Sequence, residues 1–409
     1  SPPEAPAAVP SGVPAPAEPA FARALRVYRE LKRRLFPGLR LRYERFKQFL
    51  QLPSCYARVR SRADMKTPGW RTAGDLLVLF FSYRTFPDHY ERYRLWEVDR
   101  SAWKYYYGSN YHPHQQRRLR KAVQPPVYRV IFNDKYLCGL LCQALGIRTP
   151  PIYGVVDPAN DYRSLIEGWL RTSAAGAVII KPQFGETGRN IVLAERTDRG
   201  VRVRSGTGFQ ELGDLVLTEK AVVQEVVRQD ARMAAFAETS LNTVRVLTML
   251  TGRGEVLIVS AALRAGVGGA LIDNWSAGGI GVGIDVRDGR LRGPAYDKRS
   301  RAYPAHPTTG IVFAGRAVPE WDRLAAFAED VQRAFPFYRL LGLDLALDQA
   351  GEPVLIEING AADLTFNEQV AGPLLESVDV LRAFGDEDLL VNRHQRRLYA
   401  DLAGRASLL

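Results

Sequence analysis

The sequence predicts an α+β fold, and three observations carry that expectation. Short apolar strand runs recur along the chain, and helical periods fall among them without a strict strand–helix–strand alternation. Two of the strands are joined by a tight Gly-containing turn. At 409 residues the chain exceeds one typical domain, so two or three compact parts with ample core are expected.

The joined strands lie in Leu341–Gly360. Alternation puts Leu343, Leu345 and Leu347 on one face and Asp344 on the other, and turns Ile356 and Ile358 away from Glu357 and Asn359. If the turn centres on Ala350-Gly351, Asp344 and Glu357 stand opposite each other. Opposed side chains of an antiparallel pair have Cβ atoms roughly 5 Å apart, where like charges repel. Two carboxylates and an amide oxygen so placed suit a hard divalent cation, since Mg²⁺ takes oxygen ligands and commonly keeps substrate phosphates as the rest. The other reading is a solvated acidic face on a surface hairpin, and a one-residue slip of register would remove the cation site.

From the N-terminus, residues 1–20 are Pro/Ala-rich and read as a linker or disordered tail. No basic-then-apolar leader is visible there, and the chain begins with Ser rather than Met, which leaves the native N-terminus open. Leu25, Tyr28, Leu31 and Leu35 give a helical period between Phe21 and Leu50, broken at Pro37-Gly38. Residues 21–125 are expected to be basic, aromatic-rich and mainly helical. Within 21–121 there are 24 Lys/Arg against 8 Asp/Glu, so the net charge of +12 belongs to this segment and marks where an anionic partner would dock. Its interleaved Arg and Tyr/Trp, as in Tyr90-Glu-Arg92-Tyr93-Arg94, suit an anionic acceptor such as a uronic acid rather than nucleic acid. The alternative is a packed accessory layer whose arginines are solvated.

A helix is expected from Asn133-Asp134-Lys135 to Gly146, with Asn133 as its N-cap, Asp134 as a first-turn charge and Pro150-Pro151 beyond its end. Cys138 and Cys142 lie four apart on it. With Cys55 they form neither a disulfide framework nor a zinc spacing, so buried thiols and a reducing cytoplasm are expected. The longest apolar run, Leu76–Phe81, is far too short to span a bilayer. Strands follow at 177–180, 190–193 and 221–225, then a hairpin of 243–250 with 255–263 around Thr251–Gly254.

Lys181 ends an apolar strand and precedes Gly185-Glu-Thr-Gly188-Arg-Asn190. A lysine facing a Gly-rich loop can set its ammonium and the loop's N–H groups against polyphosphate, or the loop can be an ordinary hairpin turn. The Walker pattern is absent. Gly279-Ile-Gly281-Val-Gly283 has the wrong glycine order for a dinucleotide fingerprint and no helix after it. Asp273–Gly281 holds four glycines with Asp273, Asn274 and Ser276, which reads as a substrate loop or as a glycine-rich hairpin. His306, a lone histidine before Gly310, reads as structural.

The order of these parts resembles the ATP-grasp superfamily, and most closely its branch called sugar-transfer associated ATP-grasp. The resemblance rests on Asn133-Asp-Lys135, Lys181-Pro with its glycine loop, Ser240-Leu-Asn242-Thr243-Val-Arg245, Asp273-Asn274-Trp-Ser276-Ala-Gly278-Gly279, Leu341-Gly-Leu-Asp344 and Glu357-Ile-Asn359. It spans about 125–375 well and the N-terminal hundred residues loosely.

The resemblance implies two α+β lobes gripping ATP, with lobe boundaries at 126–223 (lid about 177–223) and 224–409. By the same resemblance, Lys135, Lys181, Gly185 and Gly188 hold the phosphates, while Gln224, Glu225 and Val227 form the hinge at the adenine edge. Asp230 holds the ribose, although Arg228–Arg232 fits the pattern poorly. Arg245, Arg264 and Lys181 are implied as catalytic, Asp273, Asn274, Ser276, Gly278 and Gly279 as substrate contacts, and Asp344, Glu357 and Asn359 as Mg²⁺ ligands. The implied activity is ATP-dependent carboxylate–amine ligation through an acyl-phosphate. The alternatives are an amino-acid or peptide ligase of a natural-product pathway, and a non-catalytic nucleotide- or nucleic-acid-binding module.

Overall fold

The computed structural model describes residues 37–406 except 86, 109–112, 186–189, 207, 272, 274 and 276–277. The expected tail and the helical period over 21–36 lie outside the described residues. The chain divides into two compact units, residues 1–50 and 51–409. In the first, the described part is helix α1, Pro37–Leu50. Its first described residue is Pro37, so the break expected at Pro37-Gly38 lies at the edge of the described residues.

The second unit holds two antiparallel sheets. The smaller contains β1 (Ile152–Val156), β2 (Ala177–Pro182), β3 (Val192–Thr197), β4 (Gly200–Ser205), β5 (Gly208–Glu211) and β6 (Ala221–Glu225), in the order β1-β6-β2-β3-β4-β5. Alternation sends Val178 and Ile180 of β2 into a core closed by Ile166 and Leu170 of the helix Tyr162–Thr172.

The larger sheet contains β7 (Thr243–Leu250), β8 (Val256–Ala265), β9 (Ile280–Ile284), β10 (Ala295–Tyr296), β11 (Ala302–Tyr303), β12 (Leu340–Leu347) and β13 (Pro353–Asn359). Its order is β11-β10-β9-β8-β7-β12-β13. Leu341, Leu343, Leu345 and Leu347 join Leu324, Ala328 and Val331 of the helix Trp321–Ala334 in the largest core, leaving Asp344 on the opposite face.

The hairpin register holds a compensation. Leu347 pairs with Pro353, so the turn centres on Ala350 rather than between Ala350 and Gly351, one residue off the expected register. A β-bulge between Asp344 and Leu345 takes up an extra residue on β13 and restores Asp344 opposite Glu357. Leu355 and Ile358 therefore enter the core, while Ile356, expected to face away from Glu357, is half-buried and lines the cleft beside it.

Gly281 and Gly283 have a packing reason. A Cβ on Gly281 would lie 2.8 Å from the Phe366 ring and 3.1 Å from Trp275, and one on Gly283 would lie 2.5 Å from the Ala371 Cα. Their bareness lets helix α2, Leu364–Ala371, lie directly on the sheet over β8 and β9.

Residues 51–108 form a helical layer with its own core of Leu76, Tyr90, Trp96, Trp103 and others. Its arginines are largely spent on local carboxylates: Arg58 on Glu91 (2.5 Å), Arg62 on Asp64 (2.9 Å), Arg92 on Asp88 (3.1 Å) and Arg100 on Asp75 (2.5 Å). The layer is pinned elsewhere by Tyr107 N and Gly108 N, which donate to the buried Glu368 carboxylate at 2.5 and 2.9 Å. Among the described residues none before Phe132 lines the cleft. The anionic acceptor expected at this basic region is therefore not supported: five of the layer's arginines are held by local carboxylates, and its described residues lie away from the cleft. No helix among the described residues is long and apolar enough to cross a membrane.

Candidate active site

A cleft of about 1210 Å³ runs between the two sheets, lined by residues from Phe132 to Phe366. That exceeds the roughly 300–1,000 Å³ of a single small-ligand pocket and leaves space for two substrates. The strand register fixes the order of groups along it. Glu357 on β13 pairs with Asp344 on β12, Asp344 with Arg245 on β7, and Arg245 with Ala262 on β8, two residues from Arg264. Arg264 pairs with Gly281 on β9. These residues share one face of the sheet, so acid, cation and aromatic cover succeed each other at strand spacings of about 4.8 Å.

At the β13 end, Lys135 and Lys181 reach in from the other side. Lys135 opens the helix Lys135–Ala144, whose N-cap is Asp134, accepting from Tyr136 N (3.0 Å) and Leu137 N (3.1 Å). Asn133, the expected cap, ends the preceding helical turn instead. Asp134 also accepts from Gln183 Nε2 at 2.9 Å, which ties this helix to the loop after β2. Lys135 Nζ donates to Gly185 O at 2.6 Å and stands 3.8 Å from Glu357 Oε1. Gly185, at φ +140°, uses a backbone conformation that side chains disfavour. Lys181 is buried at the end of β2, and desolvation lowers its pKa, opposed by the Glu357 charge. Gly188 lies outside the described residues.

At the centre, the Asp344 carboxylate accepts from Arg245 Nε and Nη2 (2.9 Å for the latter) and from Arg264 Nη1 (3.1 Å), with Asn359 Nδ2 at 3.4 Å. Burial alone would raise the Asp344 pKa, but the two guanidiniums outweigh it and hold the group ionised. Arg264 also reaches Asp273 Oδ1 at 3.1 Å, and its Nε is buried without a partner among the described residues. Asp273, expected as a substrate contact, gives its other oxygen to Thr243 N at 2.9 Å and to the Thr243 hydroxyl, so it orients Arg264. A Cβ on Gly279 would lie 2.3 Å from Asp273 O, and Gly278 sits at φ +100°, so both glycines serve loop closure. Asn274 and Ser276 lie outside the described residues.

At the hinge, Gln224, Glu225 and Val227 all line the cleft. The Glu225 carboxylate, expected at the adenine edge, accepts instead from the Tyr153 hydroxyl, Ser173 Oγ (2.8 Å) and Ala175 N (2.9 Å). Asp230, expected at the ribose, is absent from the cleft: it caps the turn Ala231–Ala234 and pairs with Arg232 at 2.8 Å. The acid that reaches the cleft after the hinge is the exposed Glu238, eight residues further on. Asn242 donates to Met233 O and Ala237 O, both at 2.9 Å, and to Gln229 Oε1, stapling the loop that presents Glu238. His306 is buried, with Nε2 2.8 Å from Gly266 O and Nδ1 accepting from Thr308 N at 3.2 Å, a structural role.

The donor set suits magnesium. Glu357 is half-exposed with Lys135 3.8 Å from one oxygen, and Asn359 beside it presents an amide carbonyl with no partner among the described residues, so both offer hard oxygen atoms to the cleft. Asp344 adds a third, shared with the arginines.

The family model for sugar-transfer associated ATP-grasp matches residues 114–380, well over half of the chain. No curated protein matches. Among solved structures, D-cycloserine synthetase DcsG is similar at 15% identity and a TM-score of 0.37, covering 65% of this chain and 73% of that one. D-alanyl-alanine synthetase A from Vibrio cholerae gives 13%, 0.36, 60% and 66%. N5-carboxyaminoimidazole ribonucleotide synthetase from Thermotoga maritima gives 14%, 0.32, 62% and 54%, so the chain spans little more than half of that structure. On the family match, together with the two antiparallel sheets and the cleft between them, the chain belongs to the sugar-transfer associated ATP-grasp family.

Proposed function

We propose that the protein is an ATP-dependent carboxylate–amine ligase working through an acyl-phosphate. The observation that carries this reading is the convergence of Lys135, Lys181, Arg245 and Arg264 with Glu357, Asp344 and Asn359 on one cleft. Phosphoryl transfer is served mainly by positioning and charge neutralisation, which this set supplies without a nucleophilic side chain.

In this reading, the adenine lies by the hinge 224–227, among Ile179, Leu193, Leu241 and Ile356, with Glu238 in place of Asp230 at the ribose. Glu225 serves by fixing the hinge, because its carboxylate is already committed to the smaller sheet. Lys135 and Lys181 face the phosphates. Glu357, Asn359 and Asp344 would hold Mg²⁺, which neutralises phosphate charge when bound. A carboxylate oxygen attacks the γ-phosphorus, and the bond to the β-phosphate oxygen breaks to release ADP. The amine nitrogen then attacks the acyl carbon, phosphate leaves, and the amine gives up a proton. Arg245 and Arg264, held by Asp344 and Asp273, stabilise the transferring phosphoryl group.

ADP release measured over a panel of free amino acids, uronic acids and short peptides, each with and without an amine, tests the proposal. Release that requires both a carboxylate and an amine is expected. Release indifferent to both would overturn ligation.

A further inference from the structure

The cleft continues past the arginines, and that end has a chemistry of its own. Across the sheet from Glu357, over β8 and β9, it is lined by Leu271, Trp275, Phe366 and Asp363. Trp275 and Phe366 pack edge to face, with centroids 4.7 Å apart at 80°, in the space that Gly281 leaves. Asp363 is the N-cap of α2: its Oδ1 accepts from Thr365 N (3.0 Å) and Phe366 N (3.3 Å). No side-chain cation pairs with Asp363 among the described residues. Of the neighbouring cations, Arg264 is shared by Asp344 and Asp273, while Arg245 pairs with Asp344 and lies within electrostatic reach of Asp363 without a direct ion pair to it. The second Asp363 oxygen accepts no hydrogen bond among the described residues and sets a negative charge beside an aromatic wall.

We propose that this end of the cleft seats the amine substrate as a primary ammonium on a flat apolar body, with Asp363 as its anchor and Trp275 and Phe366 as its wall. Rings attract an adjacent ammonium through their quadrupole, and a carboxylate beside them fixes where that ammonium sits. The order of groups along the sheet then becomes a division of labour: nucleotide at β13, transferring group at β7 and β8, amine over β8 and β9. The inference rests on the ligase reading for the word substrate, and on geometry alone for the binding of an ammonium.

The test is equilibrium binding to the full chain saturated with magnesium and a non-hydrolysable ATP analogue, using three probes. Phenethylamine has the proposed shape and charge, 3-phenylpropionate the shape with the opposite charge, and glucosamine the ammonium on a polar ring. Phenethylamine is expected to bind best. Asp363→Asn keeps the N-cap, since asparagine caps as well as aspartate, and should weaken phenethylamine at least about tenfold while leaving the analogue's affinity unchanged. Phe366→Leu, which removes the wall and keeps the cap, should weaken phenethylamine and leave the analogue bound. Phenylpropionate or glucosamine binding as tightly as phenethylamine would overturn the proposal. So would absence of phenethylamine binding, or equal binding in Asp363→Asn. Because binding is read without turnover, a failure of ligation shows separately, as ADP release that no amine stimulates.

Discussion

Asp344→Asn is the substitution whose cost the structure defines best. The carboxylate is 5% exposed and receives donors from Arg245, Arg264 and Asn359, while the two arginine side chains are 11% and 10% exposed. Removing its charge leaves buried Arg245 without its ion-pair partner and Arg264 with Asp273 as its only one among the described residues. Breaking a buried pair on one side costs about 3–5 kcal/mol, because the remaining charge has lost both water and partner. At roughly 2 °C per kcal/mol for a chain of this size, the unfolding midpoint should fall by about 6–10 °C. Differential scanning calorimetry without nucleotide measures this, and ADP release should be lost at the same time. Glu329→Gln serves as the control: its pair with Arg333 has side chains 34% and 52% exposed, and its loss should cost under about 1 kcal/mol. A midpoint for Asp344→Asn within about 2 °C of the parent would refute the view that Asp344 holds the arginines in place.

Glu357→Gln should leave the unfolding midpoint nearly unchanged, since Glu357 is half-exposed, yet reduce magnesium-dependent ATP turnover at least about tenfold; full turnover would remove Glu357 from the cation site. Gly283→Ala should cost about 3 kcal/mol by denaturant unfolding, because its Cβ would meet the Ala371 backbone at 2.5 Å and force α2 off the sheet; an unchanged midpoint would refute that packing. Two buried groups give opposite pH dependences. Burial depresses His89 to about 4, so the unfolded chain takes up the proton first and stability falls as pH drops below about 6.5. Burial raises Glu368 to about 7, so the unfolded chain loses its proton first and stability rises as pH drops from 7 towards 4.5. In the parent the two offset each other; Glu368→Gln should expose the histidine slope, a loss of about 2 kcal/mol from pH 7 to 5, and a flat profile there would contradict the assignment.

The sequence made the acidic hairpin legible through alternation, but for a reason the structure corrects. The turn is one residue off and a bulge makes up the difference, which no pattern of apolar residues announces because both registers bury leucines. Lys135, Lys181 and the two arginines were legible as cations at strand and helix ends. What stayed hidden was which partners satisfy a polar group. Asp230, Glu225 and Asp273 each stand near a motif, yet each is held by neighbours distant in sequence or by a local cap. Glu238 was missed because it sits in an irregular loop whose shape depends on Asn242 and Gln229. The alternating glycines of β9 were noticed, but their cause is a helix some eighty residues later.

The central claim is that this cleft binds the phosphates of a magnesium nucleotide, and Lys181→Met tests it most directly. Lys181 is 9% exposed and desolvation lowers its pKa, so an apolar side chain of similar length should preserve or raise the unfolding midpoint. Loss of binding in this variant would then not be loss of fold. Calorimetric titration with a non-hydrolysable ATP analogue and magnesium should show affinity at least about tenfold weaker than the parent's, since a charge-assisted contact contributes about 1.5–3 kcal/mol. Equal affinity in parent and variant would contradict the account.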